Sequence, residues 1–312
     1  MTPFQRLCLV TVGAILVLIV IGGIVRATDS GLGCPDWPTC HGRLIPDGNK
    51  HTIIEYSHRL TASIVGTLVL AIAIVALRKY RDVPAILWPA VGSFVLVLVQ
   101  AGIGAAVVKQ ELPPGLVAFH LVLATALLTL IVMITTTSFS LQRPLTRPVS
   151  SRSFGNLAIL TSGCVLALML LGSYVAGAHY GLACSGWPLC NGEVVPSVDA
   201  HSVQVHFAHR FMAGVVGFQL LGLVVLAWSG RDRLTRHLTA VAAGIFIVQS
   251  LIGAANIWTE LADEVSAAHL GGATLLWLTL AVLNIRVHRL HELLPYSSSP
   301  SQSRAGLAGA SR

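Results

Sequence analysis

Eight stretches of about 20 consecutive apolar residues set the terms for this chain. They fall at about 8–26, 54–77, 84–108, 116–138, 157–178, 204–229, 237–256 and 266–287. A helix rises about 1.5 Å per residue, so each stretch can cross a ~30 Å hydrocarbon layer. By length, 312 residues would suit one or two soluble domains. Composition excludes them: 54% of residues are hydrophobic and only 11% charged, where a soluble surface needs about a quarter. The expected fold is an all-α polytopic membrane protein with eight transmembrane helices.

The formal net charge of +7 invites a nucleic-acid reading, but the placement of the charges rejects it. Arg6, then Arg78, Lys79 and Arg81, then Arg143, Arg147 and Arg152, then Arg231, Arg233 and Arg236, then Arg286, Arg289, Arg304 and Arg312 all fall on one side of the spans. That is 14 of the 20 basic residues. The other side holds Asp29, Asp36, Asp47, Glu111, Glu193, Asp199, Glu260, Asp263 and Glu264. The positive-inside rule places both termini in the cytoplasm. The first apolar run is too long for a signal-peptide core and lacks an A-x-A-like site, so it reads as a retained anchor. From Ser297 onward the chain is rich in Ser, Gly and Ala and reads as disordered.

The chain repeats itself at about 150 residues. Gly31-Leu32-Gly33-Cys34-Pro35-Asp36-Trp37-Pro38-Thr39-Cys40 returns as Gly181-Leu182-Ala183-Cys184-Ser185-Gly186-Trp187-Pro188-Leu189-Cys190. His58-Arg59 returns as His209-Arg210, Gln100 with Gly104 as Gln249 with Gly253, and His120-Leu121 as His269-Leu270. With four spans per half, both halves enter from the cytoplasm, so the repeat is parallel. The expected organisation is two parallel-repeat four-helix bundles, over 1–150 and 151–292, followed by a disordered cytoplasmic tail over 293–312.

Cys34 and Cys40, and Cys184 and Cys190, form C-x5-C pairs in extracytoplasmic loops, where disulfides persist. A redox-active thiol pair and a metal site stand as alternatives. Five intervening residues is not the usual zinc spacing, and Trp-Pro inside a short loop suits a stapled hairpin. Cys8 and Cys164 lie within spans and read as small apolar residues.

His58, His120, His209 and His269 lie near the starts of spans 2, 4, 6 and 8, all of which enter from the outer side. Histidines inside spans are rare and mark function by default. Two imidazoles facing each other across a bundle are what axial ligation of a haem iron requires. The plain alternative is that each histidine packs and hydrogen-bonds a neighbouring helix. Zinc or copper would want further ligands at that level, and only the first half offers a carboxylate there. That carboxylate is Glu55, three residues before His58 and so on the same helix face; the second half has His206 instead. One half thus reads as holding a fixed cofactor while the other does chemistry. Glu55 as an ordinary interface residue is the alternative. Arg59 and Arg210 either snorkel to the interface or pair with carboxylates such as haem propionates.

Together these residues resemble the haem A synthase family over roughly 5–290. The carriers are the eight spans in two halves, the outer-loop cysteine pairs, an E-x-x-H-R motif (Glu55, His58, Arg59), an H-R motif (His209, Arg210) and the lone His120 and His269. Cysteine pairs in both halves, and no recognisable mitochondrial presequence, resemble the bacterial form. The resemblance implies a haem-dependent oxidoreductase of the bacterial plasma membrane. Such enzymes oxidise the C8 methyl of haem O to a formyl group by successive hydroxylations, giving haem A for terminal oxidases. It also implies haem b as cofactor on His209 and His269, haem O on His58 and His120, and Glu55 as the essential acid. The partners implied are haem O, the lipid bilayer and a separate electron donor, with a haem O synthase and a second copy of the chain as further candidates.

Two rivals come from other classes. A non-catalytic di-haem b electron carrier explains the four histidines but not Glu55 where the repeat has His206. A transporter with a midplane site fits the parallel repeat, but the polar residues sit near the outer ends of the spans. No G-x-G-x-x-G loop opens a helix after a strand, which argues against a bound nicotinamide or flavin.

Overall fold

The computed structural model describes residues 1–43, 45–46, 48–141, 152–197 and 200–288. The tail over 293–312, the boundary at 150–151, and Asp47, Arg143, Arg147, Asp199, Arg289, Arg304 and Arg312 lie outside the described residues. Eight helices follow in order: α1 Pro3–Ala27, α2 Lys50–Lys79, α3 Pro84–Lys109, α4 Pro114–Ser140, α5 Arg152–Gly177, α6 His201–Trp228, α7 Arg233–Trp258 and α8 Asp263–His288. All eight are long and apolar enough to cross a membrane, and no strand occurs among the described residues. The expected all-α polytopic fold is the observed one.

Every helix but α3 starts before its apolar stretch, because capping rather than hydropathy sets where a helix begins. Thr2 and Gln5 form a capping box before α1, satisfying two of the orphan amides of the first turn. The Asn49 side chain accepts from Thr52 N before α2, and Asp232 accepts from Leu234 N and Thr235 N before α7. The lipid-facing sides are apolar as well: Phe218 is 80% exposed, and Ile247, Val225 and Leu98 are exposed with it. In water such a surface would drive aggregation; in hydrocarbon it is the natural solvent face.

Within 3–140 each helix packs on the next and α4 returns to α1; within 152–288 each packs on the next and α8 returns to α5. Contacts of α1 with α8, and of α4 with α5 and α8, join the two groups. This is compatible with a repeat of two four-helix bundles. The apolar core has two clusters. One is built around Ile15, Ile72, Leu128 and Ile131, the other around Phe154, Leu220, Leu223 and Leu280. Leu121 and Trp277 pack against both. Trp277 Nε1 donates to Thr125 O and to Thr129 Oγ1, fastening α8 to α4 in the middle of the molecule. At the C-terminal ends of α1 and α5, Arg26 Nη2 donates to Ala176 O at 2.8 Å, capping α5 from α1.

Candidate functional site

Both cysteine pairs are disulfides, Cys34–Cys40 at 1.91 Å and Cys184–Cys190 at 1.97 Å. Each closes a tight loop ahead of α2 or α6, and each loop is gripped from below by the arginine after the α2 or α6 histidine. Arg59 Nη1 donates to Asp36 O and Thr39 O, and Nη2 to Cys34 O. Arg210 Nη1 donates to Gly186 O and Leu189 O, and Nη2 to Cys184 O. The sequence suggested propionates or snorkelling for these arginines, and gave no sign of the loop backbone. A guanidinium has five donors in a fixed fork, so one N–H of Nη2 is left over in each case.

The contact made by Nε shows how the halves differ. Arg59 Nε donates to Glu55 Oε1 at 2.9 Å. Arg210 Nε points at His206 Nε2 at 3.3 Å. Glu55 is 4% exposed and His206 5%, so two chemically different groups fill one buried position beneath the same clamp. Cys184 N also points at His206, at Nδ1, 3.3 Å away. A neutral imidazole has a single acceptor nitrogen, so only one of these two contacts can be a hydrogen bond. A carboxylate, which only accepts, meets no such conflict.

The four histidines occupy matched positions. His58 and His209 are the ninth residues of α2 and α6, and His120 and His269 the seventh of α4 and α8. The spacing between the repeats changes in the loops ahead of α2 and α6, and again between the histidines of those helices and the starts of α3 and α7. Each ring lies against a glycine of a neighbouring helix. A Cβ would meet His58 Cε1 at 3.2 Å if added to Gly22, and His120 Cε1 at 3.4 Å if added to Gly104. The corresponding contacts are 2.8 Å between Gly172 and His209 and 3.0 Å between Gly253 and His269. His58 and His120 are close enough for their charges to interact, and so are His209 and His269. The pairs fall within the halves, α2 with α4 and α6 with α8.

Every one of these rings is half-buried. Nδ1 of His58, His120 and His209 is buried; the His58 and His209 rings face the backbone of Leu18 and Leu168, that of His120 has no hydrogen-bond partner at Nδ1, and His269 Nδ1 has Gln249 Nε2 at 3.1 Å. Among the described residues no group of three or more His, Cys, Asp and Glu gathers as a metal site, so a zinc or copper ion would lack its remaining ligands. A haem iron asks the protein for only its axial positions. Two imidazoles per half, each seated in a glycine notch with part of the ring accessible, fit that demand. Sequence reasoning found the histidines through their recurrence. The glycine partners recur too, at 22 and 172 and at 104 and 253, which was the available signal for them.

Fold and site together define a multi-pass, all-α membrane protein with two pairs of imidazoles beneath disulfide-closed loops. Residues 5–281 match the COX15-CtaA family, described as cytochrome oxidase assembly protein, and the chain belongs to that family. A heme A synthase of Shouchella clausii is 32% identical over 245 residues, covering 77% of this chain and 81% of the relative. Another, of Alkalihalophilus pseudofirmus, is 30% identical over 285 residues, covering 88% and 94%. A third, of an Exiguobacterium species, is 32% identical over 283 residues, covering 88% and 89%.

Proposed function

We propose that this chain is a haem A synthase, an oxidoreductase that converts the C8 methyl of haem O to a formyl group for use in terminal oxidases. Family membership and relatives bearing that name support the activity. The observation that carries the division of labour is the buried position beneath the loop clamp, Glu55 in one half and His206 in the other. In this reading residues 1–150 form the substrate half, with haem O on His58 and His120. Residues 151–292 form the cofactor half, with haem b on His209 and His269. The basic excess on one side puts both termini in the cytoplasm of a bacterial plasma membrane.

When bound, haem b supplies the one-electron chemistry of its iron. The protein's share is position and protons. A methyl C–H is far too weak an acid for a side chain to deprotonate unaided, so Glu55 serves the steps around it. Arg59 occupies Oε1, leaving Oε2 to take or deliver a proton. The i,i+3 spacing keeps that carboxylate on the face of α2 that carries His58. Loops closed over both pockets limit water at the reacting carbon. The remaining N–H of Arg59 or Arg210 is the donor available to a haem propionate. Electrons come from a separate donor. A haem O synthase and a second copy of the chain are further partners in this reading.

The test is expression in a cell that makes haem O but lacks its own haem A synthase, followed by chromatography of total haems and of the haem in purified protein. Haem A in the cell, and haem b in the protein, are expected. Two b-type haems per chain with no haem A would replace this reading with the electron carrier. His209→Ala or His269→Ala should strip most haem b, and a His269→Ala protein with full haem b would remove the cofactor half from where it is placed here.

A further inference from the structure

The two disulfide loops are anchored alike at their bases and differently at their tips. Gly31 lies against Leu112 and Gly181 against Leu261, so close that an added Cβ would meet the leucine at 2.9 or 2.8 Å. Arg59 and Arg210 then grip the loop carbonyls from α2 and α6. Beyond that grip the halves part. Trp187, between Cys184 and Cys190, packs edge to face on Trp258, with ring centroids 6.2 Å apart and planes at 83°. Trp258 is the last residue of α7, the helix whose Gly253 seats the His269 ring. The second-half loop is thus strapped between the helix that carries His209 and the helix that seats His269. The last residue of α3, whose Gly104 seats His120, is Lys109. Trp37, the counterpart of Trp187, makes no aromatic or cation–π contact among the described residues. The start of each loop repeats the contrast. Tyr180 has edge contacts with Tyr174 on α5 and His201 on α6, at 6.4 and 5.9 Å. The first half has Ser30 instead, sharing hydrogen bonds with His51 Nδ1 and Thr28 Oγ1, beside a cavity of about 310 Å³ whose lining includes Asp29, His41, His51 and Thr52.

We infer that Trp258 is a positioning residue of the second half: through Trp187 it holds the disulfide loop closed over His209 and His269, whereas Lys109 leaves the loop over His58 and His120 free to open. The inference rests on haem b being retained on His209 and His269 and haem O being processed on His58 and His120. Two indoles meeting edge to face contribute beyond the area they bury. Lys109, a hydrated ammonium on a flexible stem, does not take that place. Both loops keep their arginine grip, so what Trp258 adds is the second side of the strap. A retained cofactor suits a loop that seldom opens. A haem that arrives as substrate and leaves as product needs one that opens in every turnover.

The experiment follows transfer of haem b from the purified protein to excess apomyoglobin by absorbance, and deuterium uptake of the two loops by mass spectrometry. In the wild type, uptake across 184–190 should be slower than across 34–40. Trp258→Lys gives α7 the residue that ends α3. It should speed haem b transfer roughly two- to tenfold and bring uptake across 184–190 toward that across 34–40. Trp258 is 64% exposed, so its replacement leaves no core cavity and folding should persist. Trp258→Phe keeps a ring at that place and should stay near wild type. Lys109→Trp should slow uptake across 34–40 and leave haem b transfer unchanged. Equal uptake of the two loops in the wild type, unchanged transfer and uptake in Trp258→Lys, or faster transfer there without faster uptake across 184–190, would each overturn the role of Trp258. Full haem b in a His269→Ala protein would instead overturn the reading beneath it.

Discussion

The carboxylate of Glu55 and the disulfide loop above it share one cation, Arg59: its Nε donates to Glu55 Oε1 at 2.9 Å while its other donors hold the carbonyls of Cys34, Asp36 and Thr39. The two side chains are 15% and 6% exposed. In a buried pair, loss of one partner costs far more than the pair contributes as a whole, because a charge is left uncompensated. Arg59 therefore couples the loop to the acid.

Arg59→Met should destabilise the protein by about 3–5 kcal/mol and loosen the loop with it. Arg59→Lys keeps the charge but not the fork, since an ammonium cannot reach Glu55 and three carbonyls in that geometry. It should fall between Met and wild type. Thermal unfolding in detergent, followed by circular dichroism, ranks the three proteins. A wild-type midpoint for Arg59→Met would dismiss the coupling.

The loop disulfides span a sequence separation of six residues each. Closing so short a loop removes about 2 kcal/mol of unfolded-state entropy per bridge. Mass spectrometry of unreduced, alkylated protein should find Cys34, Cys40, Cys184 and Cys190 unmodified, and reduction should lower the thermal midpoint. Finding all four alkylated before reduction would mean the bridges do not form in the membrane-embedded protein.

The glycine notches make a prediction that separates packing from ligation. An alanine methyl at Gly172 would stand 2.8 Å from His209 Cε1, closer than carbon atoms approach, so the ring must move. At Gly13 a Cβ meets nothing within 4 Å. Gly172→Ala should lose haem b while remaining folded, and Gly13→Ala should keep it. Equal haem b in both would show that the His209 ring is free to shift without consequence.

The spans, the repeat, the cysteine pairs and the four histidines were all legible in the sequence, because each rests on local composition or on recurrence at a fixed offset. What was not legible depends on which backbone atoms a long side chain reaches. Arg59 and Arg210 were assigned two partners from their charge, yet their donors close on loop carbonyls that carry no side-chain signature. Most helix starts were read short because N-capping groups such as Asn49 and Asp232 are polar and fall outside an apolar window.

Asp232 links α7 to α8. It accepts from Leu234 N and Thr235 N, from Thr235 Oγ1, and from Arg286 Nη2 at 2.8 Å. Burial alone would raise its carboxyl, but the Thr235 hydroxyl and amide and the Arg286 guanidinium outweigh it and hold the group below its ordinary value of 3.8. A depressed folded-state value gives stability that is present above the unfolded value and lost as pH falls through the folded one. Asp232→Asn keeps a competent helix cap and removes only the charge. The difference in thermal midpoint between wild type and Asp232→Asn should be flat from about pH 8 to 5 and shrink below about pH 4. A difference that persists undiminished into that acid range would mean the ion pair is not its source.

Glu55→Gln bears on the chemistry itself. The substitution keeps shape and hydrogen-bonding capacity and removes the titratable charge. Glu55 lies on α2, apart from His209 on α6 and His269 on α8, so haem b content should persist in the folded protein, although the uncompensated Arg59 charge lowers its stability. Arg59 Nε can still donate to the amide oxygen, so the loop stays clamped through its three carbonyls. Haem A production should nevertheless collapse, by about 10²–10⁴ in rate if Glu55 transfers a proton in the reaction. Haem O accumulating alone would place the failure before the first hydroxylation. A singly hydroxylated haem would place it after. Chromatography of total haems, in cells that make haem O and lack another haem A synthase, reads all three outcomes. Normal haem A from a stable Glu55→Gln protein would leave Glu55 as no more than the counter-ion of Arg59 and return the proton steps to other groups.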